Sequence, residues 1–183
     1  RQNKNIINIF KILWETEELL VSFDGASLHL NNEVSLSPPP TLHTDQSYCK
    51  NDFECVQSWV TAFDVNEGDA TLTILEGSHK FHKYVADEFK LIDDADWHPI
   101  NKKQKKIYLD GHCNEVSVVC KKGDMVFWDS RTIHAGHQPS KNRNKPNSRC
   151  IAYMCYTPEK LITKENLKTA EECSTVNRFY NEV

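Results

Sequence analysis

Leu42-His43-Thr44-Asp45-Gln46-Ser47-Tyr48 is the stretch from which the rest of the chain can be read. In an extended strand successive side chains alternate faces, so His43 and Asp45 point one way and Thr44 the other. An imidazole and a carboxylate then converge on one point, supplying two of the three ligands of a two-histidine, one-carboxylate facial site for non-haem Fe(II). A His-x-Asp triplet is cheap in a chain with 8 histidines and 26 acidic residues. The weight therefore falls on a second run, Gly123-Asp124-Met125-Val126-Phe127-Trp128-Asp129-Ser130-Arg131-Thr132-Ile133-His134. A barrel brings early and late strands together, and His134, just beyond the apolar segment 125–128, is the expected third ligand. His137 is set aside because it lies farther on, past a turn expected at Gly136 and near Pro139.

The chain has 183 residues, enough for about one domain with a sizeable core. We expect a single domain spanning 1–183. A hydrophobic content of 39% and a formal charge of -4 describe an ordinary water-soluble protein with no call for a nucleic-acid partner. No apolar run approaches the roughly 18 residues of a membrane span, and the start, Arg1-Gln2-Asn3-Lys4-Asn5, is not a signal peptide. The expected location is cytoplasmic. The first residue is not Met, consistent with N-terminal truncation. Seven cysteines form an odd set without Cys-x-x-Cys spacing, so reduced thiols packed as small hydrophobes are favoured over a zinc cluster or disulfide scaffold.

Residues 6–20 have helical apolar spacing, as one helix or two short ones. Residues 21–30 read as a strand turned at Asp24-Gly25, and Ser37-Pro38-Pro39-Pro40 as a rigid connector into His43. A long strand is expected over 55–65, with Gln57, Trp59, Thr61 and Phe63 on one face, and another over 70–75. Residues 81–106 look like a charged surface excursion with some helix, ending in a solvated Lys102-Lys103-Gln104-Lys105-Lys106 run. Further strands are expected at 107–109, 115–120, 123–128 and 149–156, the last stopped by Thr157-Pro158, and a helical region at 160–180. About eight short strands framed by terminal helices suit a mainly β fold, a double-stranded β-helix, the cupin-like jelly roll.

A facial triad leaves the other side of the metal open to a chelating co-substrate and dioxygen. A 2-oxo acid with a second carboxylate also needs a buried cation, and guanidinium binds carboxylate through two parallel hydrogen bonds. Arg149, heading an apolar strand, competes for that place with Arg143 and Arg131.

Several blocks together, His43-Thr44-Asp45-Gln46, Trp59-Val60-Thr61-Ala62-Phe63, the run 67–80 ending Glu76-Gly77-Ser78-His79-Lys80, Gly123-Asp124 to His134-Ala135-Gly136, and Arg149, resemble the phytanoyl-CoA dioxygenase family in order and near spacing. The likeness covers roughly residues 21–158. It implies a double-stranded β-helix using Fe(II), 2-oxoglutarate and O2 to hydroxylate a small organic or lipid-derived substrate, releasing succinate and CO2. It also implies His43, Asp45 and His134 as metal ligands and Arg149 as partner of the distal carboxylate of 2-oxoglutarate, with Trp59 beside the co-substrate or in the core. His79 is expected to be structural or near the entrance. Three departures stand out: Gly136 where the family often has a small hydroxyl residue, a longer interval from His134 to Arg149 that keeps Arg143 in play, and a chain shorter than typical members. Two other classes stay open, a non-catalytic or degenerate jelly-roll binding module and a cupin-like Zn or Mn enzyme. Substrate choice is expected to reside in 6–20 and 81–106, and the sequence leaves oligomeric state open.

Overall fold

The computed structural model describes residues 2–22, 24–31, 40–92, 94–143, 146–164 and 168. The chain divides into two compact units, residues 1–23 with 156–183, and residues 24–155.

In the first unit α1, Lys4–Trp14, starts at Asn3, whose side chain accepts the Asn5 N–H, and buries Phe10 against the Tyr156 ring at a 4.8 Å centroid distance. Trp14 Nε1 donates to the Tyr156 carbonyl at 2.8 Å. The helix ends at Glu15 in the left-handed region (φ 52°), well short of the expected residue 20. Glu15, Glu17 and Glu18 would crowd the negative pole of a longer helix, and Leu19–Val21 instead forms β1. β1 pairs antiparallel with β11, Tyr156–Pro158, so the segment expected to stop at Thr157-Pro158 carries a strand there, with Pro158 at its end. Of the helical region expected at 160–180, the described part includes a short 3-10 helix, Glu159–Leu161, and residues 169–183 lie outside the described residues. The expected connector at Ser37-Pro38-Pro39 also lies outside them.

The second unit is a jelly roll of two antiparallel sheets. One sheet holds β2 (Ala26–His29), β10 (Arg149–Tyr153), β4 (Val56–Thr61) and β8 (Met125–Asp129), in the order β2-β10-β4-β8. The other holds β6 (His98–Pro99), β3 (His43–Thr44), β9 (His134–His137), β5 (Thr71–Leu75) and β7 (Glu115–Ser117), in the order β6-β3-β9-β5-β7. Trp59 and Ile151 from the first sheet pack with Leu72 from the second, alongside Ile74, Val126, Trp128 and Tyr153. Alternation sets the register: Trp59 lies opposite Val126 and Tyr153, and Leu72 and Ile74 opposite Gly136 and His134.

The opposite face of the second sheet, marked by Leu75 and Ile133, is covered by α2 (His82–Phe89) and α3 (Lys102–Asp110), which contribute Val85, Ala86 and Tyr108 to a second core. Here the sequence reading needs correction, because 107–109 is the end of α3 and not a strand. Asn101 and Gln104 form a capping box, Gln104 and Tyr108 point inward one turn apart, and Lys102, Lys103 and Lys106 remain exposed. Other differences are smaller. The long strand expected over 55–65 ends at Thr61, whose hydroxyl bonds the Phe63 carbonyl, and Phe63 is exposed. The strand expected over 149–156 breaks after Tyr153, where Met154 is held by Ser58 through both backbone and hydroxyl. Gly136 sits inside β9 and makes no turn.

Candidate metal centre

β3 is only two residues long, yet it is wedged between β6 and β9 and places His43 directly opposite His134. The positions that alternate away from the interior lock it in place. Thr44 is fully buried and donates its hydroxyl to the Ser130 carbonyl at 3.0 Å, while Gln46 accepts from Ser130 Oγ at 2.7 Å. Ser78 Oγ accepts the Ile133 N–H at 2.8 Å, fixing the entry to β9 one residue before His134. Early and late parts of the chain are thereby tied together by buried polar groups that are costly to leave unpaired.

Inside this frame His43, Asp45 and His134 converge, with one donor atom from each lying within 4.8 Å of the others. His43 Nε2 stands 3.3 Å from Asp45 Oδ1 and His134 Nε2 3.4 Å from Asp45 Oδ2. Ligands about 2.1 Å from an ion at right angles to one another are separated by roughly 3 Å, so the set is close to coordination geometry. Each histidine engages its Nδ1 with a backbone carbonyl two residues earlier, Thr41 at 2.7 Å and Thr132 at 2.9 Å. With Nδ1 engaged there, Nε2 is the ring nitrogen that faces the centre, the one a metal would take once any proton it shares with Asp45 is displaced. The His134 side chain is 6% exposed and Asp45 30%, so the centre opens on the carboxylate side. Gln57 Nε2 donates to Asp45 Oδ2 at 2.5 Å.

Burial would raise the Asp45 pKa, but hydrogen bonds from His134, His43 and Gln57 override it and hold the carboxyl well below the usual carboxylate range. For His43 burial acts to lower the pKa, and the bonds to Asp45 and the Thr41 carbonyl outweigh it, leaving the value raised. An ionised carboxylate beside two imidazoles is a donor set that a divalent cation satisfies by displacing protons.

Two indoles flank the pair. The Trp128 ring lies 5.5 Å from His134, and the Trp97 ring 5.5 Å from His43. Trp97 is 56% exposed and has φ 67°, an uncommon conformation for an aromatic residue.

The three arginines separate by their partners. Arg143 is committed to Asp69 at 2.9 Å and to the Asn31 carbonyl, and Arg131 grips both oxygens of Asp129 and the Asn51 carbonyl. Arg149 is 5% exposed, with its guanidinium 5.5 Å from the centre of the Trp59 ring. Its Nε has no hydrogen-bond partner among the described residues, and neither has Trp59 Nε1. Burial draws the Arg149 pKa down, opposed by Tyr153, which bonds the side chain. Of the other histidines, His137 bonds Thr73 through Nδ1 and His79 lies on a one-turn 3-10 helix, Ser78–Phe81, outside the cluster. Sequence reasoning missed Gln57, Ser78 and Ser130. Ser78 and Ser130 lie within blocks quoted for the family resemblance, and Gln57 stands two residues before Trp59 on the same strand face, but no role was attached to any of them.

A sequence model described as Phytanoyl-CoA dioxygenase matches residues 14–145. "Ava biosynthesis cluster protein O" of Aspergillus versicolor is 27% identical over 94% of this chain and 58% of its own length, so the chain spans about three-fifths of that relative. Among solved structures, EvdMO1 superposes with a TM-score of 0.56 at 16% identity, covering 86% of this chain and 32% of that one. The epimerase SnoN in complex with Fe3+, alpha ketoglutarate and nogalamycin RO gives 0.56 at 20% identity over 84% and 55%. HygX from Streptomyces hygroscopicus with nickel, 2-oxoglutarate and hygromycin B gives 0.52 at 11% identity over 86% and 62%. These structures share the fold, and with a family match over most of its length the chain belongs to the phytanoyl-CoA dioxygenase family.

Proposed function

We propose that the chain is an Fe(II)- and 2-oxoglutarate-dependent oxygenase that hydroxylates a small organic or lipid-derived substrate, with succinate and CO2 as co-products. The observation that carries this reading is the convergence of His43 Nε2, His134 Nε2 and the Asp45 carboxylate, with both Nδ1 atoms already engaged. His43, Asp45 and His134 would hold the metal, and Fe(II) with 2-oxoglutarate and O2 would supply the oxidising chemistry. A carboxylate at position 45 would take the coordination position a halide would need, which favours hydroxylation over halogenation.

Arg149 is the arginine whose guanidinium is buried without a carboxylate among the described residues, and it is proposed to bind the distal carboxylate of 2-oxoglutarate. Trp59, beneath that guanidinium, would line the co-substrate with an indole N–H that has no other acceptor among the described residues. On β4 Gln57 touches Asp45 and Trp59 lies two residues on, an advance of roughly 7 Å along the strand, comparable with the reach of a five-carbon diacid. The SnoN structure holds Fe3+ with alpha ketoglutarate and the HygX structure nickel with 2-oxoglutarate, which supports the assignment. The chain's own work is to orient both groups and to keep water from the buried end of the site.

The test is release of labelled CO2 from 2-oxo[1-14C]glutarate by the purified protein with and without Fe(II). Iron-dependent release that disappears in Asp45→Ala and His134→Ala is expected. Release that persists unchanged in Asp45→Ala would refute the assignment, and a protein that binds metal and 2-oxoglutarate without turnover would be the non-catalytic module.

A further inference from the structure

The carboxylate of Asp45 has two oxygens, and a ligand that leaves half of the coordination sphere open should offer only one. Gln57 answers that need. It lies on β4 with its side chain on the interior face, in register with Trp128 of β8, whose indole stands against His134. A carboxylate only accepts hydrogen bonds, so the amide edge facing Asp45 is Nε2, and the 2.5 Å contact to Oδ2 is a charge-assisted bond. Each oxygen faces a histidine, Oδ1 toward His43 Nε2 at 3.3 Å and Oδ2 toward His134 Nε2 at 3.4 Å, and the Gln57 amide on Oδ2 is what distinguishes them. Gln57 Oε1 points away from the carboxylate, buried and without a partner among the described residues, so the amide gains little from its other end. A half-buried glutamine that satisfies one carboxylate oxygen and leaves its own buried acceptor idle is poorly explained by packing alone.

We infer that Gln57 is a positioning residue that occupies Asp45 Oδ2 and so restricts Asp45 to coordination through a single oxygen. It acts through Asp45 and touches neither substrate nor metal. The inference rests on the metal-binding role proposed for His43, Asp45 and His134.

Co(II) serves as the probe, titrated calorimetrically and by visible absorption into metal-free wild type, Gln57→Met, Gln57→Leu and Asp45→Ala, with thermal unfolding of each metal-free protein alongside. Gln57→Met keeps the length and removes the donor, and Gln57→Leu stands in should that variant fail to fold. The expected result is a Co(II) affinity 10- to 100-fold weaker than wild type, the usual scale for losing a group that orients a ligand. The visible spectrum should change shape as well, because a freed Oδ2 can join the coordination sphere, while the metal-free unfolding temperature stays near wild type. Gln57 variants that bind Co(II) within threefold of wild type with the same spectrum, while Asp45→Ala loses binding, overturn this inference alone. A wild type that takes up no Co(II), or an Asp45→Ala that binds it normally, overturns the proposed metal centre and this inference with it.

Discussion

Replacing Arg149 by Met separates a co-substrate anchor from a structural arginine, because the two roles predict opposite patterns. In the metal-free protein the guanidinium is buried, has an unpartnered Nε among the described residues, and is held by Tyr153 and the Trp59 ring. Burying it costs free energy that the cation–π contact, about 1–2 kcal/mol, offsets only in part. Met fills similar space without the charge, and exchanging a buried charge for a well-packed apolar group is often neutral or stabilising by about 1–4 kcal/mol. The metal-free variant should therefore unfold within about 1 kcal/mol of wild type or be more stable. Binding of 2-oxoglutarate should collapse, since two parallel charge-assisted hydrogen bonds at about 1.5–3 kcal/mol each are lost. Taking about 4 kcal/mol as their sum, the dissociation constant rises roughly 1,000-fold. Calorimetric titration of 2-oxoglutarate into the Ni(II)-loaded proteins, with urea unfolding of the metal-free forms, measures both quantities. Near-normal binding combined with a stability loss above about 3 kcal/mol would refute the reasoning and make Arg149 a structural residue.

Other perturbations follow from the same contacts. Asp69→Ala strands the buried Arg143 and the Asn66 and Asn147 N–H groups, so a loss of about 3–5 kcal/mol is expected, read as a fall of roughly 10 °C in unfolding temperature. Asp129 is held below its ordinary range because Arg131 outweighs the opposing effect of burial. A depressed folded-state pKa stabilises above the unfolded value and is lost as pH falls through the folded value. Asp129→Asn should therefore cost about 2 kcal/mol at pH 7, and its urea midpoint should begin to approach wild type only as pH falls below roughly 4, meeting it once pH passes below the depressed folded-state value. Ser78→Ala leaves the buried Ile133 N–H without its acceptor, costing about 1–3 kcal/mol, and should weaken Co(II) binding by loosening the residue that precedes His134.

The half of the site that could be read from the chain is the half set by local geometry. Strand alternation led the reading to His43 and Asp45, and the two do converge although β3 ends at Thr44 and Asp45 lies in the bend after it, while His134 follows an apolar strand that had to enter the core. β9 itself was not legible, since Thr132-Ile133-His134-Ala135-Gly136-His137 has little strand character and becomes extended only by pairing with β3 and β5. The choice among arginines depended on where Asp69 and Asp129 lie in space. Gln57 meets Asp45 only after β4 has folded across from β3, a contact no spacing rule encodes. The lysine-rich helix is a different failure. Asn101 and Gln104 carried the capping signal in plain sight, and the density of charge obscured it.

The central claim is that three side chains from two remote segments hold one metal ion with a guanidinium a co-substrate's length away. Anomalous diffraction from crystals grown with Mn(II) and 2-oxoglutarate addresses it directly. The account predicts one strong peak bonded to His43 Nε2, His134 Nε2 and a single oxygen of Asp45, with the diacid running from that peak to Arg149. A peak at other residues, or a diacid whose far carboxylate lies away from Arg149, would contradict it.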